Sequence, residues 1–368
     1  MQNESNNARQ LTKFIDVNRA YERWLRKKCD VIEEDLQEKH DRMLRSPFDF
    51  LRATYFRWAG SIEHLCADLC DAPAVLAVGD VHIENYGIWR DAEGRSIWGI
   101  NDFDDATVMP YPWDLVRLMT SVRLAPNSKL NVTDAAQALL TGYRVGLTDP
   151  APFVLDYGND WLRDRLDGSM KSASAFWEEI EACPDVMPPS AVRKGLKRSL
   201  WKTARILRFA SRRKGVGSLG RPRFLVLAEW EGAHIVREAK ALVPSAWNWA
   251  HASDIKRIRF MDLSAGSFRS PDPFVHVRGR FIYKRLMAGT GKIDLKEIEK
   301  PGLVRRLVTA MGRDLGAIHA ISKRRRKVIS DLDRRESGWL ERASDIAESF
   351  IRQDFESLAN DPFTFRDP

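Results

Sequence analysis

Cysteine is scarce in this chain: 368 residues carry four, Cys29, Cys66, Cys70 and Cys183. Four scattered thiols cannot staple a large domain, and Cys66 and Cys70, four apart in a helix-like stretch, make a poor zinc pattern. They read as reduced thiols, the expectation for a cytoplasmic protein. No apolar run approaches the roughly 18 residues that a membrane span needs, so no membrane partner is expected. The opening MQNESNNARQ is polar with no apolar stretch behind it, which argues against a secretory signal. Acid is missing from one long stretch: residues 193–214 hold ten Lys or Arg and no Asp or Glu. A second run, residues 323–327, is five consecutive basic residues. Such runs can hold nucleic acid or phosphorylated ligands. Most, however, are solvated helix faces, and no aromatic residue interleaves the second run. Nucleic acid therefore ranks below other partners.

What is present is an ordinary globular composition, 44% hydrophobic and 30% charged, with a formal net charge of +8. The length fits a large core and two lobes. Apolar residues recur at helical spacing over residues 8–42 and again over 48–70. The texture then changes. Residues 72–78 (APAVLAV) form a short apolar strand ending at Gly79-Asp80. Residues 86–90 and 96–101 are two β-like runs around an Asp-Ala-Glu-Gly turn, which predicts a hairpin. Helices are expected over 113–125, 129–147, most of 153–213, 302–323 and 337–359. Residues 215–290 are β-rich, with strands expected at 223–230, 234–242, 274–277 and 280–286.

The densest chemistry lies in GDVHIENYGIWRDAEGRSIWGINDFDDA. The hairpin returns the chain so that Asn85 comes near Asp102, with Asp80 just before it at the end of the apolar strand. Oxygen ligands of this kind suit magnesium, which is held by one or two protein groups plus substrate phosphates. A carboxylate set apart from the metal can orient a hydroxyl and accept its proton, and Asp80 fits that role. Asp91 and Asp105 read instead as turn and helix caps, and core packing explains Trp89, Trp98 and Trp113 at least as well as ligand stacking.

Val78-Gly-Asp-Val-His-Ile-Glu-Asn85 resembles the H-G-D-x-H-x-x-N loop of aminoglycoside and choline phosphotransferases. Ile100-Asn-Asp-Phe103 is similar to their I-D-F/W step, and Pro112-Trp-Asp-Leu115 to their P-x-x-D-L segment. The resemblance implies Asp80 as catalytic base, Asn85 and Asp102 as magnesium ligands, Asp104 as an extra ligand, and His82 and Asp114 as supports of the loop. Val78 stands where that family has its leading histidine. GDVHIENYG, NDFDDA and PWDLVRL, with SPFDFLRATY upstream and GVGSLG downstream, also resemble the bacterial family called domain of unknown function 2252.

Gly215, Gly217 and Gly220 form G-x-G-x-x-G around Ser218. A strand follows, RFLVLAEW, as in kinases, where such a loop covers the ATP phosphates. A dinucleotide-binding fold would place a helix there. The strand cation expected next is Arg237 or Lys240. Alternation puts the two on opposite faces, and Glu238 could pair with either. In the bacterial family the lysine precedes Glu-Ala, where this chain has Arg237, and arginine is not equivalent to lysine. The glycine loop follows the acidic motifs here, the reverse of kinase order. The segment ending Leu-Gly-Ala-Ile-His319 resembles the helix that precedes the catalytic loop in phosphotransferases, yet comes near the end. A circular permutation accounts for both, and His319 reads as a packing residue.

The sequence thus predicts an α+β, kinase-like, permuted fold: residues 1–200 carry the acidic motifs, 201–295 form a small β-rich nucleotide lobe, and 296–368 complete the large lobe. The expected activity is ATP- and Mg2+-dependent phosphoryl transfer to an unknown small-molecule or protein acceptor. Alternatives are a non-catalytic nucleotide sensor, AMP transfer on the same fold, and a nucleic-acid-binding protein.

Overall fold

The computed structural model describes residues 12–126, 131–169, 172–289 and 301–360. Residues 8–11 and 129–130 of two predicted helices, and the 295/296 boundary, lie outside them. The architecture is mixed α+β, with helices packed around small antiparallel sheets.

The first predicted helix is two: α1 (Phe14–Arg26) and α2 (Glu33–Met43). The break holds no Gly or Pro. It forms where the Ile32 N–H donates to the Gly220 carbonyl at 3.0 Å, so a distant partner takes a donor that a continuous helix would have used. The stretch predicted over 48–70 is also broken, into α3 (Pro47–Ala53), α4 (Tyr55–Ala59) and α5 (Ile62–Leu65). Ser46 caps α3 by accepting from the Asp49 N–H, and Pro47 sits at its first position, both ordinary helix-start chemistry.

The acidic segment supplies β1 (Ala74–Ala77), β2 (Tyr86–Arg90), β3 (Ser96–Ile100) and β4 (Thr107–Pro110). β1 pairs with β4, and β2 with β3 as the predicted hairpin. The Asp91 carboxylate accepts from the Glu93 and Arg95 N–H groups, which fixes the hairpin turn. Then come α6 (Pro112–Leu124) and α7 (Val132–Thr148). β5 (Phe153–Val154) adds a third strand beside β3. α8 (Asp160–Ser169), α9 (Ala173–Glu181) and α10 (Ser190–Arg198) follow.

Residues 205–211 are not helical, as had been expected, but form β6 (Arg205–Ser211), the edge of a five-stranded sheet. Ile206 and Phe209 pack on one face of that sheet, Leu207 and Ala210 on the other. A strand can serve two faces in this way, and the arginines between hide the pattern. β7 (Arg223–Trp230) and β8 (Ala233–Ala241) lead to the short helices α11 (Ala246–Ala250) and α12 (Phe260–Ser264), then to β9 (His276–Arg278) and β10 (Phe281–Leu286). The strand order is β6-β7-β8-β10-β9, all antiparallel. α10 covers one face with Val192 and Leu196 against Val226, Ala239 and Tyr283. On the other face, Phe176 and Ile180 of α9 pack on Leu225, Leu227 and Val236.

Three helices follow: α13 (Pro301–Ala320), α14 (Arg325–Arg334) and α15 (Trp339–Asn360). α14 was not foreseen. It begins inside the basic run, where positive charge opposes the helix dipole and masks the usual start signal. α13 lies directly on α7. A Cβ on Gly142 would fall 1.9 Å from the Thr309 carbonyl oxygen, and one on Gly312 2.2 Å from that of Leu139. Gly146 and Gly316 repeat the arrangement one turn on. Only glycine permits backbones this close. Among the described residues no helix is long and apolar enough to cross a membrane.

Candidate functional site

The acidic loop is held by buried charge from two helices. The Asp114 carboxylate, at the start of α6, accepts from the Val78 and Gly79 N–H groups at 2.7 and 2.9 Å. His319 of α13 lies 3.0 Å from Asp114 and 2.7 Å from the Tyr143 hydroxyl. Asp114 and His319 are both fully enclosed. His319 thus packs, as its sequence context predicts, and what it packs against is the carboxylate under the loop. His82, also buried, lines the same cavity as the acids.

Asp80 follows β1. Its Oδ1 accepts from Arg117 Nε and Nη2 at 3.0 and 2.6 Å, while Arg117 is fully buried and also donates to the Leu51 carbonyl. Burial raises the Asp80 carboxyl above its ordinary value although Arg117 pulls the other way. That direction favours proton acceptance over permanent ionisation. The side-chain amide of Asn85 donates to the Asp80 carbonyl oxygen.

The hairpin does what its spacing predicts. Tyr86 pairs with Ile100, and the Asn101 N–H donates to the Asn85 carbonyl at 3.1 Å. Asn85 therefore stands one residue from Asp102 across the ladder. The end of β3 is clamped by α13: Asp314 accepts from the Ile100 N–H at 2.8 Å, and Arg269 bonds both Asp314 and the Ile100 carbonyl.

The five-stranded sheet completes the site. Lys240 on β8 reaches Asp104 at 2.6 Å and Asp102 at 3.1 Å, with only 4% of its side chain exposed. Arg221 Nη1 also reaches Asp104, at 3.2 Å. The two carboxylates differ. Burial would raise Asp102, but the Lys240 ammonium, the neighbouring Asp104 and the charges of Lys284 and Arg223 together outweigh it and hold that carboxyl well below its ordinary value. Its side chain is 42% exposed, so it is the carboxylate open to the cleft. Asp104 is 8% exposed, and burial together with the Asp102 charge raises its carboxyl. Asp104 Oδ1 is buried with no hydrogen-bond partner. Asp105 is taken up elsewhere, accepting from the Ala246 N–H at the start of α11.

The glycine loop lies over this cluster. Gly215 and Gly220 have φ of +79° and +87°. A Cβ on Gly217 would sit 2.9 Å from the Arg52 carbonyl oxygen and 3.4 Å from Asp80 Oδ2. Ser218 Oγ accepts from Arg223 at 2.5 Å. Asp80, Asn85, Asp102 and Asp104 share one cavity with Gly215, Gly217, Ser218 and Arg221, with a volume of about 60 Å3. A larger groove of about 520 Å3 runs between α1 and α2. Its walls include the buried Glu22–His40 contact and the exposed Arg26–Glu33 pair, and it shares no lining residue with the acidic cavity.

Of the two strand cations, only Lys240 joins the cluster. Arg237 turns to the opposite face, donates to the Ser199 carbonyl at 3.0 Å and lies over the Phe274 ring. Glu238, on the Lys240 face, is wholly buried among Arg212, Arg223 and Lys284. Burial would raise its carboxyl, but these cations hold it well below its ordinary value. Sequence inspection missed Arg117, Arg221, Arg223, Arg269 and Asp314. Arg117 left a signal: it stands inside the apolar run Leu115, Val116, Leu118, Met119.

Asp102, Asp104 and Asn85 are oxygen donors of the kind magnesium takes, and Asp104 Oδ1 is buried without a hydrogen-bond partner, although Lys240 and Arg221 already meet the other Asp104 oxygen. Among the described residues, no group of three His, Cys, Asp or Glu side chains is arranged to hold a metal by itself.

No curated protein and no solved structure matches the chain. Residues 31–151, about a third of its length, match the model of a bacterial family, DUF2252, described as an uncharacterized protein conserved in bacteria. The matched segment contains the acidic hairpin, Asp80 and Arg117, and ends before the glycine loop and Lys240.

Proposed function

We propose that this chain is an ATP- and magnesium-dependent phosphotransferase on a circularly permuted kinase-like fold. The observation that carries the proposal is the shared cavity: the glycine loop lines it together with Asp80, Asn85, Asp102 and Asp104, and Lys240 reaches the last two acids from β8. Strand lysine, glycine loop and acidic hairpin are separated in sequence in the wrong order for a kinase, yet they line or reach one cavity. The packing of α13 against α7 and under the acidic loop supports the permuted order.

In this reading Asp102, Asn85 and Asp104 hold magnesium, which neutralises charge on the phosphates when bound. Lys240 and the loop N–H groups hold the phosphates in line. Asp80 Oδ1 stays fixed by Arg117, so Oδ2 accepts the proton of the acceptor hydroxyl. The freed oxygen bonds to the γ-phosphorus, and the bond to the bridging oxygen breaks with its electron pair leaving on ADP. The acceptor is a small molecule or a protein. Positioning and charge neutralisation provide most of the rate.

A cavity of about 60 Å3 holds a few waters or an ion, whereas nucleotide-sized ligands need roughly 300 Å3 or more. Turnover therefore requires the glycine loop to lift from Asp80. Its anchors are the Ile32–Gly220 bond and the Arg213 pairs with Glu34 and Asp35. A non-catalytic nucleotide sensor is the second reading. It is favoured by the same Lys240 contact, because the ammonium already occupies the carboxylates that a metal would need.

The test is ATP turnover with magnesium by the wild-type, Asp80→Asn and Asp102→Ala proteins. Loss of about a thousandfold in both is expected. Equal turnover in all three discards the proposal. Magnesium-dependent ATP binding without turnover in the wild type selects the sensor.

A further inference from the structure

The back of the five-stranded sheet, away from Lys240, carries a surface that phosphoryl transfer does not use. α10 buries Val192 and Leu196 against the sheet and leaves Lys194, Lys197 and Arg198 exposed. Lys202 is exposed just beyond the helix. None of these four cations has an acidic partner among the described residues. Trp201 lies between Arg198 and Lys202 and is 47% exposed. It stacks on Trp230, with ring centroids 5.2 Å apart and an interplanar angle of 23°, and meets the edge of Phe274 at 5.9 Å. The Trp230 indole N–H donates to Thr203, which fixes the lower ring. Two acids border the patch: Glu229, already paired with Arg205, and Glu231 in the β7–β8 turn.

A solvated helix face accounts for the lysines. It does not account for an indole held half in water on a second, anchored indole. A rigid aromatic platform beside unpaired cations is the arrangement that binds single-stranded nucleic acid: bases stack on the rings and phosphates meet the cations. A duplex hides its base faces and offers only the charge.

We infer that α10 and the Trp201–Trp230 stack form a docking surface for single-stranded nucleic acid, separate from the acidic cleft. The prediction is independent of whether the cleft turns over ATP.

The experiment is fluorescence anisotropy with labelled RNA and DNA single strands of about 12 nucleotides, a duplex of the same sequence, and anionic phospholipid vesicles in a parallel sedimentation assay. Single strands should bind, with a log–log salt slope of about −3 for four cations. Trp201→Ala should weaken binding about tenfold with an unchanged salt slope, and Trp201→Phe should retain most of it. The Lys194→Glu/Lys197→Glu/Lys202→Glu protein should flatten the slope to about −1. Equal binding of duplex and single strand with no effect of Trp201→Ala would reduce the surface to general polyanion attraction and overturn the inference. So would vesicle binding without oligonucleotide binding, or no binding at low salt.

Discussion

β8 presents two faces that solve burial differently. On one, Ala239 packs beneath α10, and Arg237 spends its charge on a backbone carbonyl and an aromatic ring. On the other, Val236 lies in an apolar cluster under α9, and the strand then passes to Glu238 and Lys240. The first face is sealed. The second grades from apolar core to a buried ionic network within four residues. Apolar area places the sheet, and the charged end, which cannot contribute comparable burial energy, is where a ligand's charge can be met. Two cations three positions apart on one strand thus belong to different parts of the molecule.

The comparison can be broken most directly at Glu238. Glu238→Ala leaves Arg212, Arg223 and Lys284 without their shared carboxylate and should cost about 3–5 kcal/mol in urea unfolding. Leu196→Ala, on the sealed face, should cost about 3 kcal/mol through a cavity alone. The two separate by pH. The Glu238 carboxyl is depressed in the folded state, so its contribution is full above the unfolded value near 4.5 and fades as pH falls below it. The Leu196 deficit should not change with pH. An equal pH response in both variants would remove the distinction between faces.

Next in size is the contrast between the two cations. Lys240→Ala should lower ATP turnover about a hundredfold, and Arg237→Ala should stay within about twofold per folded molecule. Equal losses would mean that the sheet faces do not divide function.

The smallest effect concerns the wall opposite the charged face. Lys39 of α2 is buried over the rings of Tyr21 and Phe56, with no acidic partner among the described residues. Burial pushes its amine down to about 8 from 10.5. Below pH 8 the lysine is charged in both states, and the cost of burying that charge is fully present. Between 8 and 10.5 the unfolded chain binds more protons, so stability rises with pH by about 2–3 kcal/mol. Lys39→Met should be more stable at pH 7 by a similar amount and lose that rise. A parent protein whose stability stays flat over this range would contradict the placement of Lys39.

Local chemistry was legible in the sequence. The Asp91 turn, the β2–β3 hairpin, β7, β8, and the opposite orientation of Arg237 and Lys240 all follow from alternation and turn residues. Which cation faces the cleft did not follow, because the apolar side of α10 decides it, from about 40 residues away along the chain. The α1–α2 break, β6 and α14 were hidden for the same reason: distant partners or intervening charge override the local pattern. The acids of the cluster could be named, while most of their partners could not. Asp104 finds Arg221 at a separation of 117 residues and Lys240 further still. Lys240 was named as one of two candidate cations, and among the partners that were missed only Arg117, stranded in an apolar helix, left a signal.

The glycine contact between α7 and α13 bears on how the molecule is made. α13 carries both Asp314, which clamps the end of β3, and His319, which meets Asp114. These partners lie 214 and 205 residues beyond the groups they hold. During synthesis the acidic hairpin leaves the ribosome early; Arg117 follows it closely to meet Asp80, but Asp102 and Asp104 wait for the small sheet, and the end of β3 waits for α13. A nascent or truncated chain that stops short of α13 carries every acidic motif and none of the buried clamps from that helix. Such a fragment should expose the hairpin to proteases and chaperones.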